Sequence, residues 1–488
     1  MATTYDVAII GAGDVGAAIA RELARFELQV ALIDSGDVGA GTSKANTAIL
    51  HTGFDAKPGT LEARLVARGH ELLLAYADEV GVPLERTGAL LVAWNPEERE
   101  RLPAIEAGAR ANGYERVRAV PADQLYRREP SLGAGAVAAL EVPDEFIVCP
   151  FTPPLAYATQ AVLAGVELRR WERVTGLARA GAGWRLRLSE ARGVLPPAVG
   201  DKARSARATV DGELRARWVV NAAGLHSDEV HRMAGLDGFT VTPRRGELIV
   251  FDKLSRPLVS HVVLPVPTAT TKGVLVAPTV FGNVMVGPTA DDVESKDDTA
   301  STPEGLARVL DAARRIVPGL ADHEITATYV GLRAATEYAD YQLDVHPELA
   351  YACAGGIRST GLTASLAIAE WMRDQLAGAG LELRERPGGL PAIRMPSIGE
   401  AAPRPYADGD RIAADPAYGE VVCFCERVTR GEIRDAAASA IPPADLDGLR
   451  RRTRALMGRC QGFFCAANVG RELAEGIGAD PAALWERR

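Results

Sequence analysis

Apolar runs and glycines alternate over the first thirty-four residues in a way that predicts strand, turn, helix and strand. Tyr5–Ile10 (YDVAII) is a short apolar run rich in β-branched side chains, the pattern of a buried parallel strand. Gly11, Gly13 and Gly16 follow in G-x-G-x-x-G register. Ala17–Leu28 then sets Ile19, Ala20, Leu23 and Ala24 on one helical face, and Gln29–Ile33 reads as a second strand ended by Asp34. In such a unit the first glycine permits the tight turn. The second lets a pyrophosphate approach the backbone, and the third lets helix and strand pack closely. The helix N-terminus offers unpaired N–H groups and the positive end of its dipole to the phosphates. Asp34, with Ser35 beside it, stands where an acid can accept hydrogen bonds from ribose hydroxyls. GAGAVA at Gly133–Ala138 lacks both the third glycine and a preceding strand, so the dinucleotide expectation rests on the N-terminal copy alone.

The pattern continues as mixed α/β. Leu61–Val80 predicts an amphipathic helix, Pro96–Tyr114 and Ala122–Glu129 polar ones, and LEVPDEFIVCPFTPPLAYATQAVLAG a strand leading into a helix. Val166–Val174 and the alternating Trp184–Leu188 predict strands, separated from the apolar strand Trp218–Val220 by a Pro-, Gly- and Arg-bearing hairpin insertion at Glu190–Gly212. Further strands are expected at His261–Pro265, Gly273–Pro278, Asn283–Gly287 and Ile325–Arg333, and a helix at Thr302–Ile316. Ala350–Ala354 is a last strand, followed by the glycine-rich turn GGIRSTGLT and a helix starting near Gly361. Proline, glycine and charge dominate from Arg386 to Glu420, as in a semi-extended linker.

Composition narrows the class. The 488 residues allow two or three domains with large cores, and 47% apolar with 24% charged residues is ordinary for a globular protein. A net charge of −9 argues against general nucleic-acid binding but leaves room for a local basic pocket. No run of about eighteen apolar residues is present, and the chain enters a strand at once. No membrane span and no signal peptide are therefore expected, and the expected compartment is the cytoplasm, with peripheral membrane association through a partner. Cys149 reads as a buried structural thiol, and His226 and His231 as structural. Four of the six cysteines cluster near the end as C-x-C, about thirty-four residues, then C-x4-C: Cys423, Cys425, Cys460 and Cys465. Four thiolates so paired suit zinc or a [2Fe–2S] cluster.

Three stretches carry a resemblance: GAGDVG, SKANTAILHTG at Ser43–Gly53, and KPGTLEARL at Lys57–Leu65. Together they resemble the FAD-dependent D-amino-acid-oxidase-like superfamily, on the branch of glycerol-3-phosphate and 2-hydroxyglutarate dehydrogenases and oxidases. With only one full fingerprint, the chain is expected to hold FAD and no nicotinamide. The C-terminal segment resembles the bacterioferritin-associated-ferredoxin-like [2Fe–2S] domain through C-x-C-E-x-V-T-x-G-E-I and R-R-R-T-R-x-x-M-G-x-C-Q-G-x-x-C, with Leu456 where glycine is usual. A similar domain ends the large subunit of anaerobic glycerol-3-phosphate dehydrogenases.

The resemblance implies a Rossmann-like FAD domain (residues 1–80, 151–235 and 331–385) interleaved with a mixed-sheet substrate domain (81–150 and 236–330). A linker (386–419) and a small helical [2Fe–2S] domain (420–488) follow. It implies flavin contacts at Gly11, Gly13, Asp14, Gly16, Asp34, Ser35, Ser43, Lys44, Asn46, Val174, Ala222, Gly224, Gly356, Gly361, Leu362 and Thr363. The helix near Gly361 would aim its positive end at the flavin ring, favouring the anionic reduced form. His51 is the implied base, Lys272 a hydroxyl-polarising or anion-holding group, and Arg333 the fork for a substrate carboxylate or phosphate. Thr47, Arg358, Ser359 and Thr360 complete the substrate site, with Arg245 a weaker candidate. Ala334 follows Arg333 where the family usually has proline.

The expected activity is dehydrogenation of a small anionic α-hydroxy compound, glycerol 3-phosphate before 2-hydroxyglutarate-type acids. A flavin accepts a hydride, a [2Fe–2S] cluster passes single electrons, and the expected acceptor is a protein or quinone-linked subunit. Homo- or hetero-oligomers are compatible with this. Two other readings stay open: an amine or imino-acid dehydrogenase for opine or hydroxyproline-type substrates, and a non-catalytic electron-transfer subunit.

Overall fold

The computed structural model describes residues 4–191, 212–268 and 273–484. The insertion expected at Glu190–Gly212 falls largely outside the described residues, and Lys272 lies wholly outside them. The first sheet is parallel at its centre. Thr4–Ile10 pairs on one side with Val30–Asp34, which pairs with Glu167–Arg170. On its other side it pairs with Gly212–Asn221, which pairs with Tyr351–Gly355. Val7, Ala8 and Ile9 are fully buried, as an apolar strand covered on both faces must be. The helices Asp14–Leu23 and Gly361–Gly378 pack together on one face.

Two expectations change in detail. The first helix stops at Leu23 rather than Leu28, because the chain turns there to meet the linker: Glu27 N–H donates to Arg384 and Arg386 N–H to Arg25. The single strand expected over Val166–Val174 is two, Glu167–Arg170 and Glu172–Ala180, broken at Trp171, whose φ of 65° no strand accommodates.

The second sheet has nine strands and is mixed. The long antiparallel pair Thr242–Phe251 and Ile325–Ala335 forms one end, and Ala89–Ala93 runs parallel to Val262–Pro265 near the other. Ile325–Ala335 runs unbroken through the boundary expected at residue 330, so the second sheet extends to Ala335. A third, small sheet links the two: Ile49–Leu50 and Leu84–Glu85 both pair antiparallel with Phe146–Val148.

The linker is packed rather than free. Ile398 is buried in the main core, and Arg404, also buried, donates to Glu432 at 2.9 Å. The C-terminal unit is a small helical domain of Arg430–Ala437, Leu446–Thr453 and Ala466–Ile477. Its V-T-x-G-E-I element forms a capping box: Thr429 Oγ1 accepts from Glu432 N–H, and the Glu432 carboxylate accepts from Thr429 N–H. Leu456 sits at φ 68°, a left-handed conformation that favours glycine, which accounts physically for glycine being usual there. Among the described residues no helix is long and apolar enough to cross a membrane.

Candidate active site

The glycine turn is built by close approach. A Cβ on Gly11, at φ 106°, would lie 2.3 Å from the Ala222 carbonyl oxygen, and one on Gly16 would lie 1.9 Å from the Gly11 carbonyl. The helix Asp14–Leu23 starts at this turn behind Gly13, which has no side chain to cap it. Asp14 is buried, its N–H donates to Ser43 Oγ at 2.9 Å, and its Oδ1 meets no hydrogen-bond partner. Burial pushes its carboxyl up to about 7, against the opposing hydrogen bond to Ser43. A helix start without a side-chain N-cap and a glycine-only approach of the backbone fit a pyrophosphate cradle. Asp34 turns its carboxylate back on the same loop, accepting from Ala12 N–H at 2.6 Å and Gly36 N–H at 2.7 Å, so the structure shows it clamping the turn.

The turn opens into a cavity of about 500 Å³ between the two large sheets. Gly13, Asp14, Ser43, Asn46, Thr47 and His51 line it from the N-terminal segment; Ala222, Gly224, Gly356, Arg358, Ser359, Gly361 and Leu362 line it from the other turns of the first sheet; Arg333 enters from the second. Several expected contacts lie elsewhere. Lys44 pairs with Asp447 of the C-terminal domain at 3.1 Å, and Ser35 is not on the cavity wall; Val174, expected to contact the cofactor through its backbone, keeps its side chain in the core. Thr360 is buried against Glu62 and Tyr341. Thr363 is buried behind His51, whose N–H donates to its Oγ1 at 3.0 Å.

The small third sheet places the histidine. Its register pairs Leu50 with Phe146 and Ile49 with Ile147, so the next residues out, His51 and Glu145, come opposite each other. His51 Nδ1 lies 3.1 Å from Glu145 Oε2, and Glu145, fully buried, also accepts from Thr52 N–H at 2.6 Å and Thr52 Oγ1 at 2.8 Å. Sequence reasoning missed Glu145; the only signal was an acid at the mouth of an otherwise apolar strand.

The second sheet places the cations. Arg333 and Arg244 face each other as a cross-strand pair, and both reach the cavity wall. Like charges so placed repel. Arg244 is answered by Asp292 at 2.6 Å, whereas Arg333 donates to the Thr289 carbonyl and has no carboxylate partner within ion-pair distance among the described residues. Burial, then the nearby Arg244, pull the Arg333 guanidinium down to about 10. Gly246 makes the space, since a Cβ there would lie 2.7 Å from Arg333 Nη2. Arg245 points away and pairs with Asp298.

In the C-terminal domain the two cysteine loops lie against each other: a Cβ on Gly458 would fall 2.3 Å from Cys425 Cβ. Cys425 faces Cys460, and Cys465 faces Cys423 and Cys460. Among the described residues no three such side chains converge on one point as a single ion would require. The donor set is nonetheless the all-thiolate one a [2Fe–2S] cluster takes. The domain is tied to the first sheet by Asp37. Its buried carboxylate meets Arg170 at 2.8 Å, Arg451 at 3.2 Å and Arg452 at 2.8 Å. Burial alone would raise this carboxyl, but the three guanidiniums hold it far below the usual carboxylate range.

A single dinucleotide cradle opening on a cavity with a carboxylate-backed histidine and a half-buried arginine, beside a four-thiol module, defines a flavin-type oxidoreductase with a second redox centre. Residues 6–375 match the family of FAD-dependent oxidoreductases termed DAO, and residues 421–475 match the BFD-like [2Fe-2S] binding domain. The chain belongs to the DAO family of FAD-dependent oxidoreductases, with FAD and a [2Fe–2S] cluster as its cofactors. It is similar to a glycerol 3-phosphate dehydrogenase of Caloramator mitchellensis, 33% identical over 479 residues, covering 98% of this chain and 95% of that one. It is also similar to the anaerobic glycerol-3-phosphate dehydrogenase subunit A1 of Haloferax volcanii, at 26% identity, covering 97% of this chain and 83% of that one. Among solved structures, FAD-bound L-alpha-glycerophosphate oxidase from Mycoplasma pneumoniae superposes with a TM-score of 0.72 at 26% identity, covering 81% of this chain and all of that one.

Proposed function

We propose that this protein oxidises the secondary alcohol of a small anionic α-hydroxy compound, glycerol 3-phosphate before 2-hydroxyglutarate-type acids, and passes the electrons through its cluster to an acceptor subunit. The observation that carries the reading is Arg333, a half-buried guanidinium on the cavity wall that meets Arg244 across the strand pair and, among the described residues, no carboxylate within ion-pair distance. An anion of the substrate supplies the missing negative charge, and the planar fork suits phosphate or carboxylate. The similarity to glycerol 3-phosphate enzymes favours phosphate.

His51 takes the hydroxyl proton. Glu145 engages its Nδ1, so Nε2 is the accepting atom and the ring orientation is set by the buried carboxylate. Thr52, through both its N–H and its hydroxyl, holds Glu145 in turn. Bound FAD supplies the hydride acceptor. Gly13, Asp14, Ser43 and the turn Gly356–Leu362 would hold it, and Arg333 would anchor the substrate anion on the cavity wall that also carries His51. The acceptor side fits a multisubunit assembly, the relative in Haloferax volcanii being named as a subunit, and a peripheral place at a membrane would come through such a partner.

The test is anaerobic titration of the holoenzyme with glycerol 3-phosphate, 2-hydroxyglutarate and hydroxyproline, followed at the flavin absorbance. Rapid bleaching by glycerol 3-phosphate is expected. Bleaching by the imino acid alone, or by none of the three, would overturn the proposal.

A further inference from the structure

Of the seven large apolar side chains exposed among the described residues, three stand on the cysteine loops. Phe424, between Cys423 and Cys425, is 61% exposed; Phe463 and Phe464, between Cys460 and Cys465, are 96% and 70% exposed. Phe424 and Phe464 meet edge to face at 5.5 Å, so the loops present one aromatic surface. Across a cleft that includes Cys425 stand Leu254 and Thr326. Leu254 is 69% exposed. A monomeric surface rarely concentrates such side chains without a use for them.

The cations at the rim are each answered by a carboxylate. Arg459 pairs with Asp252 and Glu324, both at 3.2 Å; Arg427 pairs with Glu400 at 3.1 Å; Lys253 pairs with Glu400 at 2.8 Å and Glu426 at 3.2 Å. An apolar centre inside a charge-balanced polar rim is the anatomy of a protein–protein interface. Attraction to an anionic bilayer calls instead for unpaired basic residues around the aromatic patch. The patch also stands on the loops that carry the cluster's ligands, where a partner gains the shortest route to an electron.

We infer that the face formed by Phe424, Phe463 and Phe464, with Leu254 beside it, is the docking site for a one-electron-carrier protein. This rests on the proposed dehydrogenase reading. Each substrate oxidised releases two electrons and two protons. The electrons leave singly, so two oxidised carrier molecules, or one carrier on two visits, are each reduced by one electron, and the protons pass to solvent. The partner is recognised by an apolar patch beside its own redox centre, and Phe463 is its principal anchor.

The test uses full-length holoenzyme carrying Phe463→p-benzoylphenylalanine, irradiated in its native cells. The expected adduct contains a protein with a haem, flavin or iron–sulfur group. That protein, purified, should then be reduced by the photoreduced holoenzyme, and Phe463→Asp or Phe424→Asp should slow the second-order transfer at least tenfold. Iron content, FAD content and the rate of flavin reduction by substrate should not change. Photoreduction charges the enzyme without substrate, so failure of the hydroxy-compound reading would leave this test standing. An adduct with a second copy of this chain or with a protein lacking a redox group, or no adduct at all, would overturn the inference. So would unchanged transfer in both variants, or binding to phosphatidylglycerol vesicles that the two variants abolish.

Discussion

Replacing Asp14 with asparagine separates the cost of a buried acid from its role at the cofactor. The carboxyl is buried at the start of the first helix with one oxygen unpartnered, and burial raises it from 3.8 to about 7. In the unfolded chain it ionises near pH 4; in the fold it holds its proton until about pH 7. The native state therefore binds more protons than the unfolded state between those values, and stability falls as pH rises through the window. At roughly 1.4 kcal/mol per unit, the wild-type penalty reaches about 4 kcal/mol above pH 7 and vanishes below pH 4. Asp14→Asn keeps an acceptor for Ser43 and removes the ionisation. The stability difference between variant and wild-type apoprotein, from urea unfolding, should grow in the variant's favour by about 2 kcal/mol between pH 5 and pH 7. FAD affinity offers a second assay. A pyrophosphate beside Asp14 disfavours its ionised form, so wild-type affinity should weaken above pH 7 by up to about tenfold per unit, while the variant stays flat. A difference in unfolding that does not change with pH, or an FAD affinity with the same slope in both proteins, would refute the reasoning.

Other expectations follow from the same geometry. Arg333→Ala should raise KM for glycerol 3-phosphate by about a hundredfold or more, because it deletes a charge-assisted fork, and an unchanged KM in steady-state assays would exclude the assignment. Glu145→Gln should lower kcat by about ten- to a hundredfold with KM little changed, since the histidine loses its orienting carboxylate rather than the substrate its anchor; stopped-flow flavin reduction reads this directly. Asp37→Ala leaves three closely grouped guanidiniums, two of them deeply buried, without their shared carboxylate, a loss of about 3–5 kcal/mol, so limited proteolysis should release the C-terminal domain. Flavin reduction by substrate should survive that change while electron delivery to a protein acceptor falls. Cys460→Ser should abolish iron and labile sulfide without loss of FAD, measured by metal analysis and absorbance on anaerobically purified protein.

The cradle, the cluster ligands and the alternation of strands and helices are local patterns. Gly11, Gly13 and Gly16 declare a close approach because no other residue permits it, and four cysteines at fixed spacing declare a ligand set because few other roles explain it. His51 and Arg333 were legible only through motif and resemblance. Their partners were not legible at all. Glu145 lies 94 residues from His51, and Arg244 lies 89 residues from Arg333, so no window along the chain contains either pair.

Strand register decided those pairings. Pairing Leu50 with Phe146 carries Glu145 to His51, and pairing Arg244 with Arg333 creates a like-charge site that calls for an anion. The tertiary structure also redirected single residues. Lys44, in a motif that points to the flavin, reaches the cluster domain instead, and Asp34, expected to accept from ribose hydroxyls, also accepts from the Ala12 and Gly36 N–H groups of the turn. What the sequence by itself determined was the chemistry available: a dinucleotide cradle, four thiolates, a histidine and arginines. Only the fold decided which of these meet, because hydrogen bonds between strands, not proximity along the chain, set what faces the cavity.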